Sequence, residues 1–507
     1  MRKYLDSEMT KLTIEIDKLL RIGSKYDTGT VEQVCARYAD MEALIPFFGY
    51  SFDEKFSILE IGYKNLLKKA ADSDKKLIQM MKSKSDFSNS PLANYPKDIF
   101  FNLMNTVDFP TIEWDRKDSL KLNFSNFRHA MRNLTSKTDR LKVYKRFYRL
   151  FDKHKPIVER LLSLSLEIEY SYNDLNMENL IKKKGLTYIE LENYIKEIKG
   201  STFIFYYKNK LKENLGLNQL GIEDLNYEGT VKSGLCQLAT EKLIKKACTI
   251  LGLNEEAEII INHNNLSAKE NVLIEECINL YNRPPILYMD FKNNMNSQLT
   301  FAHELGHGLH YYLSNSNQRF FDSKPHEFLI EVPSILIEMF VLYTLHKEKV
   351  YTPKIIETHL LNEIKNTFVM QAFYADFELT IHKLFNNGTL NVKSLDDSYI
   401  TLLASYLGED VELYEETKFG WMFLFHLFSP FQSYQYFYCY LVSINLFLSI
   451  IKYGDDRSHI TNFKKFLKSG STNSMRENLR LLDAVDIKQQ SIDALLMQFI
   501  KHFCDKK

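Results

Sequence analysis

Four residues separate His303 from His307 in the run Thr300-Phe301-Ala302-His303-Glu304-Leu305-Gly306-His307-Gly308-Leu309-His310. On a helix that interval returns to nearly the same face, so two imidazoles can converge on one divalent cation. Glu304, turned about 100° from His303, stands beside that point as a proton acceptor. A metal with an open position and a carboxylate base are the equipment for hydrolysing an amide. With 13 histidines in 507 residues, H-E-x-x-H arises by accident in roughly a few per cent of chains of this composition. The pentapeptide therefore needs a third ligand before it specifies a site.

A catalytic zinc takes three protein ligands and keeps a position for water. A histidine ten residues after His303 is excluded, because position 313 is Leu. His310, on a similar face, reads as a supporting or core histidine rather than a ligand. The stretch His326-Glu327-Phe328-Leu329-Ile330-Glu331-Val332-Pro333-Ser334-Ile335-Leu336-Ile337-Glu338 offers three carboxylates, Glu327, Glu331 and Glu338. One continuous helix would put them on a shared, otherwise apolar face. Glu327 follows His307 by 20 residues and Glu331 follows it by 24, and spacing alone leaves both open. Pro333 either kinks or begins that helix.

The elements that position these groups follow from composition. Gly (18) and Pro (11) are each about half their usual share, which favours long helices. The first 200 residues read as helices, interrupted at Ser88-Asn89-Ser90-Pro91 and Phe109-Pro110. No fixed-period repeat supports a solenoid. Beyond Gly200, Glu258-Ile259-Ile260-Ile261-Asn262 and Pro285-Ile286-Leu287-Tyr288-Met289-Asp290-Phe291 read as short strands, the second lying just before the motif helix. An edge strand there can pair with an extended peptide. Helices resume to the end, with loops near Asn386-Asn387-Gly388 and Ser469-Gly470-Ser471. Gly306 and Gly308 let the strand or the glutamate helix come close.

Lys plus Arg and Asp plus Glu both total 65, so the chain has no polyanion-binding signature and no nucleic-acid partner is expected. From Asp115 to Arg160 there are 14 basic and 5 acidic residues interleaved with aromatics, which reads as a solvated helix face over an aromatic stripe. Cys35, Cys236, Cys248, Cys277, Cys439 and Cys504 lack C-x-x-C spacing and read as reduced thiols. Met1 to Glu8 carries no apolar leader, pointing to the cytoplasm. Phe437 to Ile451 imitates a membrane span but is too short and contains Asn445, so it reads as a buried helix and no membrane association is expected.

The wider context resembles a known family. H-E-L-G-H-G-L-H followed by E-V-P-S-I-L-I-E is similar to the oligoendopeptidase F and thimet oligopeptidase family of zinc peptidases. Asn282 to Phe291 looks like the strand before that family's zinc helix. Gln371-Ala372-Phe373-Tyr374-Ala375-Asp376-Phe377-Glu378 looks like its Q-x-x-x-A-x-F-E helix, and Phe466-Leu467-Lys468-Ser469-Gly470-Ser471 like its C-terminal turn. Trp421 to His426 and the tyrosines 434, 436, 438 and 440 are similar to its W-x-x-x-x-H stretch and Tyr-rich helix. The likeness covers roughly residues 115 to 500.

The resemblance implies one Zn²⁺ held by His303, His307 and Glu331, with a water activated by Glu304. It implies Tyr440 and His426 as donors to the scissile carbonyl oxygen, and Tyr434 and Tyr438 as substrate contacts. The implied activity is endopeptidase cleavage of short unfolded oligopeptides, with an exopeptidase or a catalytically retired peptide binder as alternatives. The implied fold is mainly α, a large two-lobed multi-helix body with a small β-sheet beside the zinc helix. Its parts would be a shortened helical N-terminal lobe (1–200) and a catalytic region with a C-terminal helical lobe (201–507). Two departures stand out: Glu275-Glu276-Cys277 replaces a glycine-rich segment, and the N-terminal part is short. Neither the physiological peptide nor the oligomeric state follows from the sequence.

Overall fold

A single helix, Met295–Asn317, carries the whole H-E-x-x-H run. Asn294 caps it by accepting from the Ser297 N–H at 2.9 Å, which satisfies one of the amides that a helix start leaves open. The description of the protein rests on a computed structural model. It covers residues 2–21, 28–44, 59–66, 96–97, 99–101, 103–104, 107, 111–114, 118–121, 124–173, 176–227, 235–263, 275–289, 291–429, 431–453, 457–484 and 491–504. Ser88 to Pro91 and Phe109-Pro110, read as helix interruptions, lie outside these residues.

The next long helix, Glu331–Lys347, is apolar around nearly its whole circumference and buried from Val332 to Leu345 apart from Glu338 and Tyr343. A helix with no polar face belongs inside a core. Pro333 lies in its first turn, where a missing N–H costs nothing, so the proline begins the helix rather than kinking it. The motif and glutamate helices pack on each other so closely that only glycine fits at 306. A Cβ there would stand 2.4 Å from Ser334 Cα and 2.7 Å from the Pro333 carbonyl oxygen.

On another side of the motif helix is a two-stranded antiparallel hairpin. Glu276–Ile278 pairs with Ile286–Tyr288 in the register Glu276↔Tyr288, Cys277↔Leu287, Ile278↔Ile286. Strand alternation divides its side chains. A Cβ at Gly308 would lie 3.6 Å from Cys277 Sγ and 3.4 Å from Leu287, so these two face the motif helix. Ile278, Ile286 and Tyr288 point the other way, into a cluster with Met9, Leu12 and Ile16 of helix Arg2–Arg21 and with Val34, Tyr38 and Met41 of helix Thr28–Leu44. Asp40 ties the second of these helices to the hairpin turn, accepting from the Tyr281 N–H at 2.6 Å and from Asn282.

The expected boundary at residue 200 therefore marks a change of sequence texture and does not coincide with the structural division. The chain forms two compact units, each assembled from three segments. The first joins residues 1–86, 233–348 and 445–485; the second joins 87–232, 349–444 and 486–507. The apolar face of the hairpin draws the N-terminal helices into the same unit as the metal motif.

The second reading to be corrected is the strand at Glu258–Asn262, which belongs to helix Asn254–His263. Ala257, Ile260 and Ile261 turn inward at helical spacing, whereas Ile259 is exposed. Glu255 and Glu256 in the first turn favour the helix by opposing its dipole, and this outweighs the β preference of three isoleucines.

In the second unit, helix Lys137–Arg149 shows the pattern expected of the basic stretch. Phe147 stacks on Phe127 with ring centroids 3.6 Å apart, while Lys142, Arg146 and Arg149 are exposed. Arg140 of the same helix is buried, and both its Nε and Nη2 reach Asp224 Oδ1, at 3.0 and 2.6 Å. Helix Met370–Asn386 follows a π-helical turn, Ile364–Val369. Among the described residues two helices, Glu327–Lys347 when its leading turn is counted and Ser433–Lys452, are long and apolar enough to cross a membrane, but about four fifths of each is buried in the protein. They are core helices, as the reading of Phe437 to Ile451 anticipates.

Candidate metal and catalytic site

His303 and His307 lie one turn apart on the motif helix, and Glu331 is the first residue of the glutamate helix. The close approach at Gly306 brings them together. Glu331 Oε2 is 3.4 Å from His303 Nε2 and 3.3 Å from His307 Nε2. All three ligand atoms lie within 4.8 Å of one another. Donors about 2.0–2.1 Å from a tetrahedral zinc are separated by roughly 3.3 Å, so these residues fit that ion. The His303 side chain is 28% exposed, leaving the cluster open to water and substrate.

Two of the three candidate ligands, His303 and Glu331, are aimed by a neighbour. Glu338, two turns along the glutamate helix, places Oε2 3.3 Å from His303 Nδ1, which leaves Nε2 for the cluster. Ser334 Oγ donates to Glu331 Oε2 at 3.0 Å and to the Glu331 carbonyl oxygen at 2.9 Å. Glu327, the rival carboxylate, is exposed in a separate 3-10 turn, Glu327–Leu329, and is not among the gathered ligand atoms. The helix begins at Glu331, so the shared face expected for all three glutamates holds only for Glu331 and Glu338. His310 is fully buried, its ring 4.9 Å from Phe466, and neither ring nitrogen has a partner among the described residues. Burial pushes it down to about 3, so it is a neutral core histidine.

The electrostatics of the cluster suit a cation. Burial alone would lower His303, but its bonds to Glu331 and Glu338 and their charges raise it well above the ordinary range. Burial alone would raise Glu331, but His307 and His303 hold it well below the usual carboxylate range. Both directions reflect one pairing, positive charge on the imidazoles against negative charge on the carboxylates. Glu304 differs: its carboxyl is raised, chiefly by burial and also by the charges of Glu331 and Glu275, against the pull of the two histidines. A buried carboxylate with raised proton affinity is poised to take a proton and return it.

Support for the motif helix comes from both ends of this region. Glu276-Cys277, in the segment that departs from the glycine-rich pattern, forms the first hairpin strand, and Glu276 is exposed. At the far end, the Phe466-to-Ser471 turn locks the motif helix. Gln318 Nε2 donates to the Lys468 carbonyl at 2.7 Å and the Ser471 N–H to the Asp322 carbonyl at 2.8 Å. Gly470 has φ +53°, and a Cβ there would fall 2.1 Å from the Asp322 oxygen, so glycine is required.

The aromatic groups lie in the second unit. His426 is half-buried in the 3-10 turn Phe425–Phe428, its ring 5.8 Å from that of half-buried Tyr436. Tyr440, one turn beyond Tyr436 on helix Ser433–Lys452, is 4% exposed, its ring 6.3 Å from Phe368. Tyr434 and Tyr438 occupy the other stripe of this helix. Tyr434 is fully buried and donates to the Ile181 carbonyl at 3.0 Å, which is the placement of a packing residue. Tyr438 is buried edge-on to Tyr194, with ring centroids 5.7 Å apart. Tyr436 is thus the tyrosine that the structure brings beside His426. Its four-residue spacing to Tyr440 is the signal that could have singled it out.

Residues 275–499 match the family model for Peptidase family M3. The chain is 28% identical over 217 residues to an oligoendopeptidase F homolog of Borreliella burgdorferi, an alignment covering 42% of this chain and 36% of that protein. It is 24% identical over 396 residues to oligopeptidase PepF of Bacillus subtilis, covering 73% of this chain and 58% of that one. The chain thus spans less than two thirds of the length of these relatives. The fold is similar to that of oligoendopeptidase-F from Enterococcus faecium, with a TM-score of 0.61, 17% identity and coverage of 99% of this chain and 90% of that one.

Proposed function

Starting from a chain whose residues 275–499 match the model of peptidase family M3, we propose that it is a zinc-dependent endopeptidase of short, unfolded oligopeptides. The observation that carries this reading is the donor geometry, with Glu331 Oε2 3.3 and 3.4 Å from two imidazole nitrogens that a buried helix contact holds in place. His303, His307 and Glu331 would hold one zinc ion. When bound, zinc polarises the scissile carbonyl and acidifies the attacking water.

The chain's own residues do the rest. Glu304 accepts a proton from the attacking water and passes it to the leaving amine, and its raised proton affinity serves both transfers. Glu338 and Ser334 keep the ligands in one orientation while substrate exchanges. His426 and Tyr440, with Tyr436 beside the histidine, donate hydrogen bonds to the carbonyl oxygen as it gains negative charge. An extended substrate pairs with the hairpin by strand addition, which suits an unfolded peptide and excludes a folded one. The cytoplasm is the proposed compartment.

The test uses quenched-fluorescence peptides of graded length, with free and with blocked termini, before and after metal removal and zinc restoration. Cleavage of blocked peptides that disappears with chelator and returns with zinc is expected. Cleavage only of peptides with a free end would replace the endopeptidase reading by an exopeptidase one, and chelator-insensitive cleavage would end the metal mechanism.

A further inference from the structure

Glu378 is a buried acid for which the proposed chemistry has no use. It lies on helix Met370–Asn386 and is 2% exposed. Its Oε1 accepts the Phe431 backbone N–H at 2.6 Å, and its Oε2 is buried without a partner among the described residues. Burying a carboxyl with one oxygen unmatched is unfavourable, and a fold retains it only where the other oxygen does something an apolar residue cannot.

That other oxygen holds a residue in an unusual backbone state. Phe431 has φ +54°, a left-handed conformation that a bulky side chain rarely adopts, and it is 1% exposed. Its ring is held as well. His382, one turn after Glu378 on the same helix, stacks on it with centroids 4.7 Å apart and an interplanar angle of 24°. His382 Nδ1 is in turn 2.8 Å from the Tyr170 hydroxyl. Phe431 is the point where the chain turns from the segment carrying His426 into helix Ser433–Lys452, which carries Tyr436 and Tyr440. Helix Met370–Asn386 therefore grips this turn twice, by main chain and by ring.

We propose that Glu378 is a positioning residue for the reaction: by capturing the Phe431 amide it sets the left-handed turn that fixes His426 relative to Tyr436 and Tyr440. This rests on the reading of His426 and Tyr440 as donors to the scissile carbonyl oxygen. Burial pushes the Glu378 carboxyl up to about 8, against the Phe431 amide bond and the charge of Lys184, so near neutrality it works mainly as a neutral acceptor. A glutamine side chain offers the same carbonyl acceptor in the same volume.

The experiment compares wild type, Glu378→Gln, Glu378→Ala and His426→Ala by steady-state kinetics on one blocked peptide at neutral pH, with zinc content measured for each. Glu378→Ala should lose about ten- to hundred-fold in kcat with KM within about two-fold and zinc unchanged, as expected when a donor is misplaced rather than removed. Glu378→Gln should restore kcat to within about two-fold of wild type. An alanine variant with wild-type kcat, or a glutamine variant as impaired as alanine, overturns the proposal. So does a loss of zinc together with kcat, because the defect is then general. If the alanine variant fails to fold, the glutamine variant decides alone: wild-type kcat supports the assignment and a loss of more than about five-fold rejects it. His426→Ala separates the two readings. If it keeps full activity the donor assignment itself has failed, and if it is impaired while Glu378→Ala is not, only the positioning role has.

Discussion

Between Glu275 and Lys347 two of the candidate ligands are held by other polar side chains: His303 by Glu331 and Glu338, Glu331 by His307 and Ser334. Between Phe425 and Tyr440 the candidate site groups are phenols and one imidazole set among rings, with Tyr434 tied to a main-chain carbonyl. The first region is a charge-complementary cage and the second an aromatic scaffold with a few hydroxyls. The difference teaches where precision is needed. Metal ligands tolerate little displacement, and the candidate ligands sit on two helices pressed together at a glycine. Donors to a developing charge need direction, which a helix stripe and a pinned turn can supply.

Mutations that separate the two regions should differ in size and kind. The largest effect is expected in the cage. Glu331→Ala should abolish stoichiometric zinc and reduce kcat/KM by about 10³-fold or more, while Glu327→Ala keeps both. Metal analysis and peptide cleavage check this, and a Glu331→Ala protein with full zinc would break the ligand assignment. In the scaffold, His426→Ala and Tyr440→Phe should keep zinc and lose about 10²- to 10³-fold in kcat. Equal zinc loss in these variants would erase the distinction between the regions.

Smaller effects test the packing. Gly306→Ala drives a methyl into the Ser334 backbone, and the helix pair should lose about 1–3 kcal/mol in denaturant unfolding along with weakened zinc affinity. Glu378 adds a pH signature. Its carboxyl, raised to about 8 from 4.5, binds a proton in the folded chain at pH values where the unfolded chain has released it. Stability from this group is therefore fully present below about pH 4.5 and is lost as pH rises to about 8. Unfolding midpoints should show that decline flattened in Glu378→Gln, by of order 1–3 kcal/mol once relaxation around the buried acid is allowed for. The smallest effect belongs to Tyr434→Phe, which should cost about 1 kcal/mol of stability and leave kcat within about two-fold.

Much of the cage was legible because its rules are local. Histidines four apart on a helix share a face in any fold, and the glycines beside them announced the close approach that the structure bears out at Gly306. The choice between Glu327 and Glu331 was not legible from spacing, because both are polar residues near one helix start, and only the family resemblance pointed to Glu331. It turns on where that helix begins, which Pro333 and the packing at Gly306 decide together. The role of Glu338 depends on the distance between two helices, which no spacing encodes. The hairpin strand at Ile286–Tyr288 was readable, whereas the three isoleucines at 259–261 misled because the acidic residues before them favour a helix. The interleaved units escaped notice for a similar reason. The apolar face of Ile278 and Ile286 looks for a partner, and nothing in its sequence says that the partner is the chain's first helices. In the Tyr-rich helix, alternate tyrosines look equivalent until the 3.6-residue turn sorts 434 and 438 from 436 and 440.

Proton transfer by a carboxylate beside zinc is put to the test by Glu304→Gln. Purified variant and wild type are compared for zinc content and for cleavage of one blocked, quenched peptide. Equal zinc and at least about a 10³-fold loss of cleavage in the variant are expected. Undiminished cleavage by a zinc-loaded Glu304→Gln protein would contradict it.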